Sequence, residues 1–187
     1  MLSSRDYASL SIESIEYSDF MFENSLVTVI AIKSAPKIDL AGFSVGPFEE
    51  GHEYEVRFWV ARELEKDGVV KIKEGALDAA KLYKIQWTER IQAVGQLSTL
   101  PEDFYPRLRR LINELRVASR TSPEKMREYE YVQNLAQDIV NCRLRKIVSL
   151  ASIPAPESHV LKNLTMEERD LYERIHRIIM EWRDRIV

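Results

Sequence analysis

The sequence predicts an α+β protein, with a small β-rich domain over residues 25–75 followed by an all-α helical bundle domain over residues 76–187. A loosely ordered arm, residues 1–24, precedes them. Three observations lead there. Leu26 to Ile32 is a run dense in β-branched residues. After residue 76, apolar residues recur at helical spacing to the end of the chain. The charge shifts at the same place: residues 1–75 hold 8 Lys/Arg against 14 Asp/Glu, net −6, and residues 76–187 hold 19 against 16, net +3.

The arm is rich in Ser, Asp and Glu and shows no sustained period. Leu26–Ile32 reads as a strand with both faces at least partly covered, bounded by Ser25 and by Ser34 to Pro36. Ile38 to Phe43 fits a second strand, Gly46-Pro47 and Gly51 mark a turn, and Tyr54 to Phe58 fits a third strand. Trp59 to Asp67 turns helical, with Val60 and Leu64 four apart. Gly68 stands where a helix ends, since glycine adopts positive φ without a Cβ clash. Val69 to Lys73 alternates as a closing strand.

Four helices are expected beyond it, without a strand among them. The first covers 76–93. The second runs from about Pro101 to Ala118, with Phe104, Leu108, Leu111, Ile112 and Leu115 on one face. Ser122-Pro123 opens the third, serine as cap and proline where no backbone donor is lost, and it continues to about Leu150. Ser152 to Asn163 reads as a loop. Thr165-Met-Glu-Glu168 is a capping box, and Leu171, Tyr172, Ile175, Ile178, Ile179, Trp182 and Ile186 form a stripe of period 3.6 behind it.

The 187 residues are 45% hydrophobic and 30% charged, with a net charge of −3. No apolar run approaches the ~20 residues of a membrane span, and residues 1–20 lack the order of a signal peptide. A soluble, intracellular protein without cofactors is expected. The single cysteine, Cys142, excludes an internal disulfide, and His52, His159 and His176 are too scattered for a zinc motif. No phosphate loop or nucleophile elbow occurs. Glu167-Glu168 belongs to a helix cap and Glu49-Glu50 to a turn, so no catalytic residue and no metal ligand is assigned. Cys142, inside a helix and far in sequence from any histidine, reads as a packed thiol. Arg107, Arg109, Arg110, Arg116 and Arg120 invite a nucleic-acid reading. A solvated helix face balanced by Glu102, Asp103 and Glu114 fits the acidic chain better.

Arg143 is the informative charge. At 100° per residue it falls within the stripe of Val132, Ala136, Ile139 and Ile147. A buried guanidinium requires a carboxylate or carbonyl partner, and Glu168 or Glu89 could form the buried ion pair.

Several anchors, taken in order, resemble the GINS family, specifically its two/three-type subunits. They are Leu26-Val-Thr-Val-Ile30, Val45-Gly46-Pro47-Phe48 with Gly51, and Val56-Arg-Phe-Trp59-Val-Ala61 with Leu64. Leu100-Pro-Glu-Asp-Phe-Tyr105, the stretch from Asp138 through Arg143 to Lys146, and Asn163-Leu-Thr165 follow. The short loops and the lack of a long C-terminal tail look archaeal. The resemblance implies a non-enzymatic DNA replication factor, cytoplasmic and chromosome-associated in an archaeon, nuclear in a eukaryote. Its partners would be a one/five-type GINS subunit in a heterotetramer, the MCM helicase, a RecJ-like protein, and primase or polymerase components, with any DNA contact weak or indirect. The helices carry more apolar stripe than about 110 residues can bury internally, which marks subunit contacts. Tyr129, Val132, Ile179 and Trp182 are the candidate interface residues. The alternative is a stand-alone homodimeric nucleic-acid-binding or regulatory protein.

Overall fold

The structure, a computed structural model, describes residues 15–73, 75–93, 95–156 and 158–187. They form two compact units, one spanning Asp19–Ala76 and the other Leu77–Val187 together with residues 15–18. The α+β class and its order, a small sheet region before a helical bundle, are those expected.

The β-rich unit is built around β1 (Leu26–Ala31), the middle strand of a three-stranded antiparallel sheet. Its neighbours are β4 (Glu53–Arg57), in register Leu26↔Arg57 to Ile30↔Glu53, and β5 (Val70–Ile72), paired from Val29↔Ile72 to Ala31↔Val70. Alternation buries Val27, Val29 and Ala31. They share one apolar cluster with Val56, Val70 and the inner face of α2 (Phe58–Lys66), namely Phe58, Val60, Ala61 and Leu64. Burying each such large side chain contributes on the order of 2 kcal/mol. α2 ends as Gly68 implies. At φ +67 this glycine lets its own N–H reach the Glu65 carbonyl (3.0 Å) and the Val69 N–H reach the Leu64 carbonyl (2.9 Å), which satisfies two otherwise orphaned acceptors.

Two expectations are corrected here. Ile38–Phe43 is not one strand but most of a hairpin, β2 (Ile38–Leu40) and β3 (Phe43–Val45), because Gly42 at φ +92 turns the chain back on itself. Residues 15–24, placed in a loosely ordered arm, form a helix, α1, whose Phe22 enters the β-unit core. The rest of that arm lies outside the described residues.

The helical unit contains α3 (Ala79–Ile91), α4 (Phe104–Ala118), α5 (Pro123–Ala151), the one-turn α6 (Ser158–Leu161) and α7 (Met166–Ile186). The turn of α6 interrupts what the two prolines suggest is all loop. Asp78 caps α3 by accepting the Lys81 N–H, and Ser122 caps α5 by accepting that of Lys125. Both halves of the capping box at the head of α7 form. With 29 residues, α5 is about 43 Å long and packs against α3, α4 and α7. Its first half contributes Val132, Leu135, Ala136 and Ile139 to a cluster with Leu82, Phe104 and Leu108. Its last turns contribute Ile147, Leu150 and Ala151 to a second cluster with Leu164 and Tyr172. Between these two stretches, the inward positions are Cys142, Arg143 and Lys146.

Candidate subunit interface and the ion network behind it

Arg143 is 0% exposed, and the acceptors around it match its donors one for one. Nε donates to Glu168 Oε1 (2.7 Å) and Nη2 to Glu168 Oε2 (2.5 Å), a bidentate pair. Nη1 donates to Glu89 Oε1 (2.9 Å) and to the Ser98 carbonyl (2.7 Å), and Nη2 also reaches the Asn163 carbonyl (3.1 Å). A guanidinium has five N–H groups, and all five are used. The site thus joins α5 to α3, to α7, and to the chain at Ser98 and Asn163. Glu168 and Glu89, either of which the sequence offered as partner, are both present.

Lys146, one turn further along α5, donates to Glu89 Oε2 (2.7 Å). The Ser98 hydroxyl bonds Glu89, and the Tyr105 hydroxyl donates to Glu168 Oε1 (2.6 Å). Glu168 also accepts the Thr165 N–H (3.1 Å), so one carboxylate closes the capping box and the ion network together. Two cations meet two anions, and the cluster is neutral. Burial works against ionising Glu89, but Lys146, Ser98 and Arg143 together outweigh it and hold its carboxyl below the ordinary value of 4.5. Burial first, and the Glu168 carboxylate second, push the Tyr105 phenol up, so it stays a donor. Burial opposes the charge on Arg143, yet Glu168 and Glu89 raise its affinity for the proton.

Such a cluster fixes geometry; it does not present reactive groups. Cys142 is buried beside it, where Arg145 Nη2 approaches its sulfur (3.4 Å) and no histidine bonds it among the described residues. No three His, Cys, Asp or Glu side chains among the described residues are grouped to hold a metal. Glu167 of the adjacent carboxylate pair takes a bidentate bond from Arg109 (2.8 and 2.9 Å). Of the other α4 arginines, Arg107 pairs with Asp103 and Arg110 with Glu114.

The outside of the same helices looks different. Three rows of exposed apolar side chains recur every fourth residue: Tyr83, Trp87 and Ile91 on α3; Val140, Leu144 and Val148 on α5; Ile178, Trp182 and Ile186 on α7. Val140, Leu144 and Leu171 line an apolar groove of about 310 Å³ between α5 and α7, with Ile15 also at its wall and Asp170 and Arg174 on its rim. Trp182 is 63% exposed. Tyr129 and Ile179 are half-buried, packed on the first and second apolar clusters respectively. Val132 is 1% exposed and belongs to the internal core, so it offers no surface to a partner. The rows on α3 and α5 were not singled out from sequence, although their four-residue spacing is visible there.

Fold and surface together define a class: a two-unit α+β subunit whose buried charges brace a helical bundle and whose outer helix faces are apolar. Comparison with known proteins agrees. Residues 76–187 match the GINS complex protein helical bundle domain, and residues 14–73 match the PSF2 N-terminal domain. The chain is 31% identical over 154 residues to the human DNA replication complex GINS protein PSF2, covering 80% of this chain and 79% of that protein. This chain belongs to the GINS family.

Proposed function

We propose that this chain is a non-catalytic subunit of a GINS complex, a scaffold joining the MCM helicase and a RecJ-like partner in the replicative helicase assembly. The observation that carries the reading is the set of exposed apolar rows on α3, α5 and α7. So many exposed large apolar side chains ask for cover, and permanent subunit contacts cover about 2,000 Å² or more. Other GINS chains, beginning with a one/five-type subunit, are the partners that would cover them, with Trp182 and Ile179 at one contact and Tyr129, toward the other end of α5, at another. The ion network suits this role, because a bundle whose helices are locked in register presents its outer rows in one fixed arrangement. The acidic β-rich unit adds selectivity among partners through charge. As a subunit of a replication complex the protein would work at the chromosome, within the nucleus in a eukaryote. No described helix is long and apolar enough to cross a membrane. The stand-alone DNA-binding alternative gains little, since Arg107, Arg109 and Arg110 are engaged by carboxylates of the chain itself.

Size-exclusion chromatography with light scattering tests the reading, on the chain alone and after mixing with a one/five-type GINS subunit. A stable mixed complex is expected, and Trp182→Glu should weaken it by roughly 30-fold or more, as loss of a central tryptophan does. A monodisperse monomer that ignores the partner contradicts the proposal.

A further inference from the structure

The β-rich unit has a cleft of its own, and we propose that it is a second docking site, for an extended peptide segment of a partner protein. That segment would present a large apolar side chain next to a carboxylate. The cleft encloses about 610 Å³ and is lined by Phe20, Met21, Asn24, Phe43, Arg57 and Trp59. This volume lies within the range of sites that accept a few side chains or a small ligand. Phe20 is 63% exposed, and Met21 and Phe43 are also open to water. Three large apolar side chains meeting at one depression, in a unit of fewer than 60 residues, leave a patch that binding would cover.

The walls are held in place from within. Phe43 sits edge-on to Trp59, with ring centroids 6.1 Å apart and planes at 86°. The Arg57 guanidinium lies over the Phe43 ring, 5.7 Å from its centroid. Its Nη1 donates to the Asn24 carbonyl (3.2 Å) and more weakly to Asn24 Oδ1 (3.4 Å). Arg57 is therefore oriented by a ring and an amide rather than by an acid.

That choice of partners is informative, because the unit has carboxylates to spare. Residues 19–76 hold 11 Asp/Glu against 7 Lys/Arg, a net charge of −4. Lys37, Arg62, Lys66 and Lys73 each meet a carboxylate of the unit, whereas among the described residues none bonds Lys33, Lys71 or Arg57. Arg57 is the one charged side chain among the described residues that line the cleft. A guanidinium fixed in this way keeps donors for a bidentate carboxylate, and the rings and Met21 beside it take the apolar neighbour. Aromatic rings beside an arginine would also stack on a nucleic-acid base. With Arg57 as its single cation among the described residues, the cleft can hold one carboxylate fork but offers no track for a strand of phosphates, so the peptide is the better match.

The site is independent of the helical rows, and its test leaves the GINS reading untouched. Fluorescence anisotropy on the full chain would use labelled decapeptides with an Asp-Phe-Asp or Asp-Leu-Asp core in a Gly/Ser context. Their Lys-for-Asp counterparts and a labelled twelve-residue oligothymidylate complete the set of probes. The acidic peptides should bind at least tenfold more tightly than the lysine peptides. Arg57→Glu should reverse that order, and Phe20→Ala should weaken both acidic peptides at least fivefold. Both positions are exposed, and an unchanged melting curve identifies variants that are folded. Failure of every peptide to bind at millimolar concentration overturns the proposal. So does acidic-peptide binding that Arg57→Glu leaves intact, and so does oligothymidylate binding as tight as the peptides and lost in Phe20→Ala.

Discussion

The β-rich unit closes around a single apolar cluster, with no charged side chain buried among its described residues. The helical unit divides its apolar core in two along α5 and buries Arg143, Lys146, Glu89 and Glu168 at the division. The two arrangements hold a fold together in different ways. Apolar burial is non-directional, and it tolerates small sliding of one element on another. A guanidinium with all five donors satisfied does not, since sliding either α3 or α7 by half a turn would strand a charge in the interior. Replacing a complete buried ion set with apolar residues often leaves stability unchanged or improves it, so the network is better understood as fixing register than as adding stability. Register is what a scaffold needs if its outer rows are to meet other chains.

Four perturbations sharpen this contrast, from the largest effect to the smallest. Arg143→Ala leaves Glu168 and part of Glu89 uncompensated in the interior. It should destabilise the helical unit by about 3–5 kcal/mol, with a fall in melting temperature on the order of 10 °C by circular dichroism. Val29→Ala, at an equally buried position of β1, removes two methyl groups without stranding a charge and should cost about 2 kcal/mol in a denaturant titration. An equal loss at both positions would remove the distinction between the units. Thr165→Ala deletes one half of the capping box while Glu168 keeps Arg143, and about 1 kcal/mol should be lost in the same titration.

The mildest probe is pH. Glu89 in the network and Asp138, held by the Arg90 hydrogen bond, both have carboxyl groups shifted below their ordinary values. A lowered folded-state pKa contributes stability that is complete above the unfolded-state value and is lost as pH falls through the folded one. Melting temperature should therefore be flat from pH 7 to about 5 on this account and decline below about 4.5. Glu89→Gln should flatten that acid limb. A decline centred near pH 6 would implicate histidine instead.

Much of this was legible in the sequence, for local reasons. Ser122-Pro123, the Thr165 capping box and Gly68 each specify a helix end through their own backbone chemistry, and the ends lie there. The inward position of Arg143 followed from 100° per residue. The hairpin at Ile38–Val45 was missed because three-residue strands carry too little alternation, although Gly42 was the available signal. Residues 15–24 show no clean stripe, since Phe22 alone enters the core while Tyr17, Phe20 and Met21 remain exposed. The interface candidates show the deeper limit. On α5 the buried Ile139 and the exposed Val140 are neighbours of the same chemical type, and the sequence cannot say which apolar row meets the chain's own helices. Val132 was misplaced for that reason. Lys146 was read only as part of a family-like stretch, although at 100° per residue it lies about 60° from Arg143 on the same face and shares its partner Glu89.

The proposed contact puts the apolar rows of the helical unit under other GINS chains. Hydrogen–deuterium exchange over α5 and α7, compared between the chain alone and its complex with a one/five-type subunit, addresses it most directly. The account predicts at least tenfold slower exchange on complex formation in peptides covering residues 140–148 or 178–186, with residues 26–31 of the β-sheet unchanged. A complex that forms while both helical segments exchange as they do in the free chain would contradict it.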